Sequence, residues 1–133
     1  MYENWICRRW ETPISDRLAS MEALTDSDGL TLLVSAARPG ERSRRYTFFF
    51  ERPAGYRNLL EEYRTELWNL FLETSRPGST FTVENSPWIE EIASREPLLM
   101  VHDRDVVHYV IAMDDVVVEI LSSRPPTISP ASD

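Results

Sequence analysis

The chain contains no lysine and no glutamine, and all 14 of its cationic side chains are arginine. Without lysine it cannot form a Schiff base, hold pyridoxal phosphate covalently or carry a Walker-A loop, so those reaction classes are closed. Its single cysteine, Cys7, has no partner for an internal disulfide, which suits a reducing compartment and sets a cytoplasmic expectation. With only four glycines there is no glycine-rich phosphate loop and no G-x-S-x-G motif. No apolar run approaches the roughly 20 residues of a membrane-spanning helix. The N-terminal "MYENWICRRWE" lacks the basic flank and apolar stretch of a signal peptide, so no membrane association is expected. A net charge of −8 disfavours nucleic acid, whose binding depends on neutralising phosphates.

What is present points to a folded domain. A length of 133 residues fits one core, and 42% hydrophobic content excludes wholesale disorder. "NWICRRWE" (4–11) reads as a strand with Trp5 and Cys7 on one side and Ile6 and Trp10 on the other. "SDRLASMEAL" (15–24) places Ile14, Leu18 and Met21 at helical spacing, and "TDSDG" follows as a turn. "LTLLVSAA" (30–37) and "RRYTFFFE" (44–51) alternate cleanly and form a hairpin. "YRNLLEEYRTELWNLFLE" (56–73) carries one apolar stripe from Tyr56 to Phe71 at i, i+3, i+4, i+7 and predicts a long helix. "STFTVE" (79–84) is a short strand. In "SPWIEEIASRE" (86–96), Ser86 caps a helix whose first position is Pro87.

The stretch "HDRDVVHYVIAMDDVVVEIL" (102–121) holds both histidines. A loop centred on Asp114 and Asp115 pairs Ala112 with Val117, Val110 with Glu119 and His108 with Leu121. One face then carries Tyr109, Ile111, Met113, Val116, Val118 and Ile120, and a slip of one residue would reverse every side chain. The tail "SRPPTISPASD" (123–133) is rich in proline and serine and is expected to fray. The predicted fold is therefore a single α+β domain over residues 1–122. Its order is β-α-β-β-α-β-α-β-β, with helices on one face of one mainly antiparallel sheet.

Few constellations carry chemistry. His108 lies diagonal to Glu119 and within reach of a hydrogen-bonded pair, which would raise the histidine pKa and which, as an oriented base, would suit a small hydrolase. A base without a nucleophile or cleft is not yet a site. His102, Asp103 and Asp105 lack the further ligands of a metal centre. "TDSDG" lacks both essential carboxylates of a calcium loop. Glu62 and Glu66, four apart, have no Glu-x-x-His partner. Neither a metal nor a cofactor is expected. Arg38, Arg42, Arg44 and Arg45 concentrate positive charge at one hairpin tip, where guanidinium forks suit carboxylates and phosphates. Trp68, just off the long apolar stripe, suits a protein interface.

The segments "FFFERPAGYRNLLEEY", Trp68, "FTVENSPWIEEI" and "HYVIAMDDVVVEIL" together resemble a loose group of small bacterial α+β proteins of unknown activity. The resemblance covers about residues 46–121. Some members of that group look like immunity partners of secreted toxins. It implies a partner protein and transfers no catalytic residue. The expectation is a non-enzymatic cytoplasmic protein-binding domain, with a homodimeric interaction domain or a small hydrolase using His108 and Glu119 as alternatives.

Overall fold

In the computed structural model the described residues are 4–64, 66–68 and 77–132. The strands are β1 (Ile6–Arg9), β2 (Leu18–Thr25), β3 (Leu30–Ala37), β4 (Arg44–Phe50), β5 (Gly55–Leu60), β6 (Thr80–Glu84), β7 (Val107–Ala112), β8 (Val116–Ser122) and β9 (Thr127–Pro130). Two helices, α1 (Pro87–Arg95) and α2 (Leu98–His102), lie between β6 and β7, and a 3-10 turn over Glu61–Tyr63 follows β5. The strands form two antiparallel sheets in place of the single sheet expected. One has five strands in the order β1-β6-β7-β8-β5, the other four in the order β2-β3-β4-β9.

The alternation read in β3 and β4 explains how the sheets meet. Leu30, Leu32, Val34 and Ala36 of β3 and Tyr46, Phe48 and Phe50 of β4 pack against Tyr109, Ile111, Val118 and Ile120 of β7 and β8. Trp10 seals this core, tilted on Tyr109 at 4.9 Å and edge-on to Phe48 at 6.0 Å between ring centres. The opposite face of the five-stranded sheet carries a second core of Trp5, Leu67, Phe81, Val83, Val110, Ala112 and Val117. Both faces of β7 and β8 are therefore buried, and the two strands form the centre of the molecule.

Three further expectations, each about one segment, are corrected. Residues 15–24 are not helical; Leu18–Thr25 is β2, paired along its length with β3 and bulged between Met21 and Ala23. Their helix-forming residues express only a weak preference, which a full ladder on the open side of β3 overrides. The "TDSDG" segment is the hairpin turn between them. Gly29 there has φ +97°, and a side chain would collide with the carbonyl oxygens of Phe50 and Glu51 at 2.8 and 2.9 Å. The helix expected over 56–73 fails in its first part only: residues 66–68 are helical, with Leu67 of the apolar stripe buried in the second core. Residues 55–60 are β5, paired from Gly55↔Leu121 to Leu60↔Val116, and Tyr63 is exposed after the turn. The later positions of that stripe, Leu70 and Phe71, lie outside the described residues. Finally, the tail does not fray. Thr127–Pro130 is β9 at the edge of the four-stranded sheet, with Ile128 packed on the core, because an edge strand can accommodate proline.

The hairpin of 107–122 forms in the expected register, with Ala112↔Val117, Val110↔Glu119 and His108↔Leu121. Helix α1 starts as read. Ser86 caps it by accepting the Ile89 N–H at 3.2 Å, after Asn85 turns the chain with φ 55°.

Candidate functional site

The second face of the five-stranded sheet places a charged residue on a central strand. Glu119 of β8 is 0% exposed, and so needs donors around it. Pairing supplies them. Arg57 of β5 stands directly across from Glu119, and its Nε and Nη2 donate to Oε2 and Oε1, both at 3.0 Å. Arg64, only 3% exposed, donates from Nη2 to Oε1 at 3.0 Å. Its Nε approaches Oε2 to 2.7 Å but off the line of a hydrogen bond, which leaves that N–H without an acceptor. The remaining amino group of Arg64 bonds to Glu66. His108, diagonal to Glu119 and 1% exposed, completes the shell with Nε2 2.8 Å from Oε1.

The carboxylate fixes the proton. Ser86 Oγ lies 2.7 Å from His108 Nδ1 and already accepts from the Ile89 N–H. The ionised Glu119 can only accept, so Nε2–H donates to it; in the neutral imidazole Nδ1 is then the acceptor, and the serine O–H donates to it. Burial drives the His108 pKa down; Glu119 pulls it up, and Arg57 and Arg64 push it down again, for a net lowering. The raised value expected from the pair alone is corrected, because desolvation outweighs one carboxylate that two arginines already hold. Burial pushes the Glu119 carboxyl up, but the hydrogen bonds of His108 and Arg57 and the charge of Arg64 prevail and hold it at about 2. Burial also lifts the half-buried Cys7 thiol to about 11, so it stays protonated.

Above this network opens a cleft of about 520 Å³ lined by Trp5, Trp88, Arg57, Arg64, Glu90 and Glu91. The Arg57 guanidinium lies over the Trp88 ring at 4.1 Å from its centre, and Trp88 meets His108 edge-on at 5.3 Å. The chain Ser86–His108–Glu119 has the connectivity of a nucleophile, base and orienting acid. Its electrostatics run against that use. A catalytic imidazole must accept a proton, and here the orienting carboxylate is neutralised by two guanidinium groups that oppose the imidazolium.

The other candidates fall elsewhere. Arg42, Arg44 and Arg45 line one hollow of about 380 Å³ with Pro130 and Ala131. Within that end Arg45 is tied to Glu22 at 3.0 Å and to the Ser132 carbonyl at 2.7 Å, and Arg38 stands 4.0 Å from Glu41. Trp68 is half-buried against the second core, as a core-edge residue. His102 ends α2, and Asp103 accepts a hydrogen bond from Ser123 at 3.0 Å. Among the described residues no three His, Cys, Asp or Glu side chains converge as metal ligands. Reading the sequence missed Arg57, Arg64 and the second bond of Ser86. The one available signal was Glu119 itself, since a carboxylate on a doubly buried strand requires cations. The chain matches no protein-family model, no curated protein and no solved structure.

Proposed function

We propose that the protein is a non-enzymatic, cytoplasmic protein-binding domain of the immunity type suggested by residues 46–121, and that the cleft beside α1 is its binding face. The observation that carries this reading is the double clamp of Arg57 and Arg64 on Glu119. It commits the buried polar groups to holding α1 against the sheet and makes His108 a poor base. What the network supports at the surface is the half-buried Trp88, backed by the buried Trp5, with Arg57 held rigidly between ring and carboxylate. Aromatic and arginine side chains fixed in this way are the anchors that dominate protein interfaces. The arginines at the hairpin tip are weaker candidates, since Arg38 and Arg45 face acids of the same chain.

The competing reading is a small hydrolase, favoured by the unbroken Ser86–His108–Glu119 connection. One pair of experiments separates them. Co-expression with the product of the adjacent gene should give a complex that co-elutes in size exclusion and is weakened by Trp88→Ala. An esterase, phosphatase and nuclease panel should show no activity above background. Activity abolished by His108→Ala would overturn the binding reading. A mass that doubles with concentration in light scattering, with no complex formed, would favour a homodimeric interaction domain instead.

A further inference from the structure

We propose that β5 is a docking edge, and that an extended, basic segment of the partner protein adds to it as a sixth strand beside the cleft. This rests on the protein-binding reading above. The two sheets have four edges, and three are protected. β1 has only four residues and carries Arg8 and Arg9, held on Glu84 and on Glu11 and Asp16. β2 is broken by its bulge at Glu22, which is tied to Arg45. β9 has four residues, ends on Pro130 and follows Pro125 and Pro126. Shortness, charge, bulges and proline are the devices that keep edge strands from pairing with other chains.

β5 carries none of these. It runs six residues in unbroken register with β8 and contains no proline. Its one charge, Arg57, is consumed on Glu119. Its far end exposes Leu59 (37%) and Leu60 (48%), and Tyr63 (65%) follows. Among the described residues no strand pairs with this edge, which suits strand addition, in which main-chain hydrogen bonds supply affinity and side-chain pockets supply specificity.

Charge selects the occupant. Arg57 and Arg64 are neutralised by Glu119 and Glu66, whereas the exposed Glu62 and Glu90 have no ion pair among the described residues. At the far end of the edge, among the described residues, the remaining charge is negative, in a chain of net −8. A second copy would bring its own net charge of −8 to the edge, and like net charge across an interface is costly. An incoming strand that alternates apolar and basic residues has no such conflict.

The test is selection of a phage-displayed random dodecapeptide library on the whole protein, followed by synthesis of the enriched sequences. Peptides alternating apolar with Arg or Lys should enrich. They should slow amide exchange over residues 55–60 and weaken with salt. Asn58→Lys and Leu60→Lys, at exposed positions, should each reduce affinity at least tenfold without changing the melting temperature, while Arg44→Ala in the other sheet should have no effect. Protection located elsewhere, or binding indifferent to both lysines, would overturn the proposal, as would acidic consensus peptides. A concentration-dependent dimer abolished by Leu60→Lys would assign the edge to a second copy. If a partner complex forms yet survives both lysine variants, the edge assignment fails while the binding reading stands. If nothing binds and a hydrolytic activity depends on His108, both fail.

Discussion

Replacing Glu119 with glutamine removes one negative charge from a fully buried group without changing its size. The carboxyl is held at about 2 against an ordinary 4.5. At about 1.4 kcal/mol per tenfold change, this difference corresponds to on the order of 3 kcal/mol at neutral pH. The glutamine also presents an NH2 group to a shell made of donors, so at least one of Arg57, Arg64 and His108 loses its acceptor. Breaking a buried pair from one side typically costs about 3–5 kcal/mol. The expected loss lies in that range, a large part of the roughly 5–15 kcal/mol that holds a domain folded. Urea unfolding at pH 7, followed by tryptophan fluorescence and far-UV dichroism, measures it directly. Because the folded carboxyl is lowered, its contribution is fully present above the unfolded value near 4.5 and is lost as pH falls through about 2. The gap between wild type and Glu119→Gln should therefore close in acid. A loss under about 1 kcal/mol at pH 7, or a gap that does not narrow between pH 5 and 2.5, would refute the reasoning. Pairing Glu119→Leu with Arg57→Leu and Arg64→Met should recover much of the stability, since an apolar replacement of the whole group leaves no stranded charge.

His108→Ala should cost about 2–4 kcal/mol, because it opens a void, leaves the Ser86 O–H without its acceptor and removes one donor from Glu119. The folded His108 pKa is lowered, so wild-type stability should be full above about 6.5 and decline as pH falls below it, a limb that thermal melts of the alanine variant should lack. Val118→Asp places a carboxylate without a cation in the core between the sheets and should cost about 4 kcal/mol or more by urea titration. Deleting residues 125–133 removes β9 and the half-buried Ile128, and should lower stability by about 2–3 kcal/mol in the same assay.

How much of this was legible varies with the range of the forces involved. The β7–β8 register followed from local alternation, because a slip of one residue would put Glu119 on the face of Tyr109 and Ile111. The cap at Ser86 and the β3–β4 hairpin are local in the same sense. Residues 55–60 were not legible, since Tyr56, Leu59 and Leu60 satisfy a helical stripe as well as a strand and only the vacancy beside β8 decides between them. That one ambiguity concealed the site. As part of a helix over 56–73 Arg57 would meet only residues three or four positions away, whereas as a strand it faces a residue 62 positions away. Ser86 was identified for its cap, but a hydroxyl has both a donor and an acceptor, and the donor's destination, His108, depended on how the sheet was assembled. The tail was judged by composition, and composition does not report that β4 has an open side.

The position of β8 has a consequence for how the chain acquires its structure. Val118 and Ile120 enter one core while Val117 and Glu119 enter the other, and both the distant β5 and the hairpin neighbour β7 hydrogen-bond to it. Until β8 docks, Arg57 and Arg64 must remain hydrated and β5 has no neighbour. Neither hydrophobic layer can close early. Once it docks, the two layers and the ion cluster complete in a single event. Unfolding should therefore be all-or-none, with both cores reporting the same midpoint. Folding should be slow, in the millisecond-to-second range of chains dominated by distant strand pairings, with the arrival of this one strand as the step that all others await.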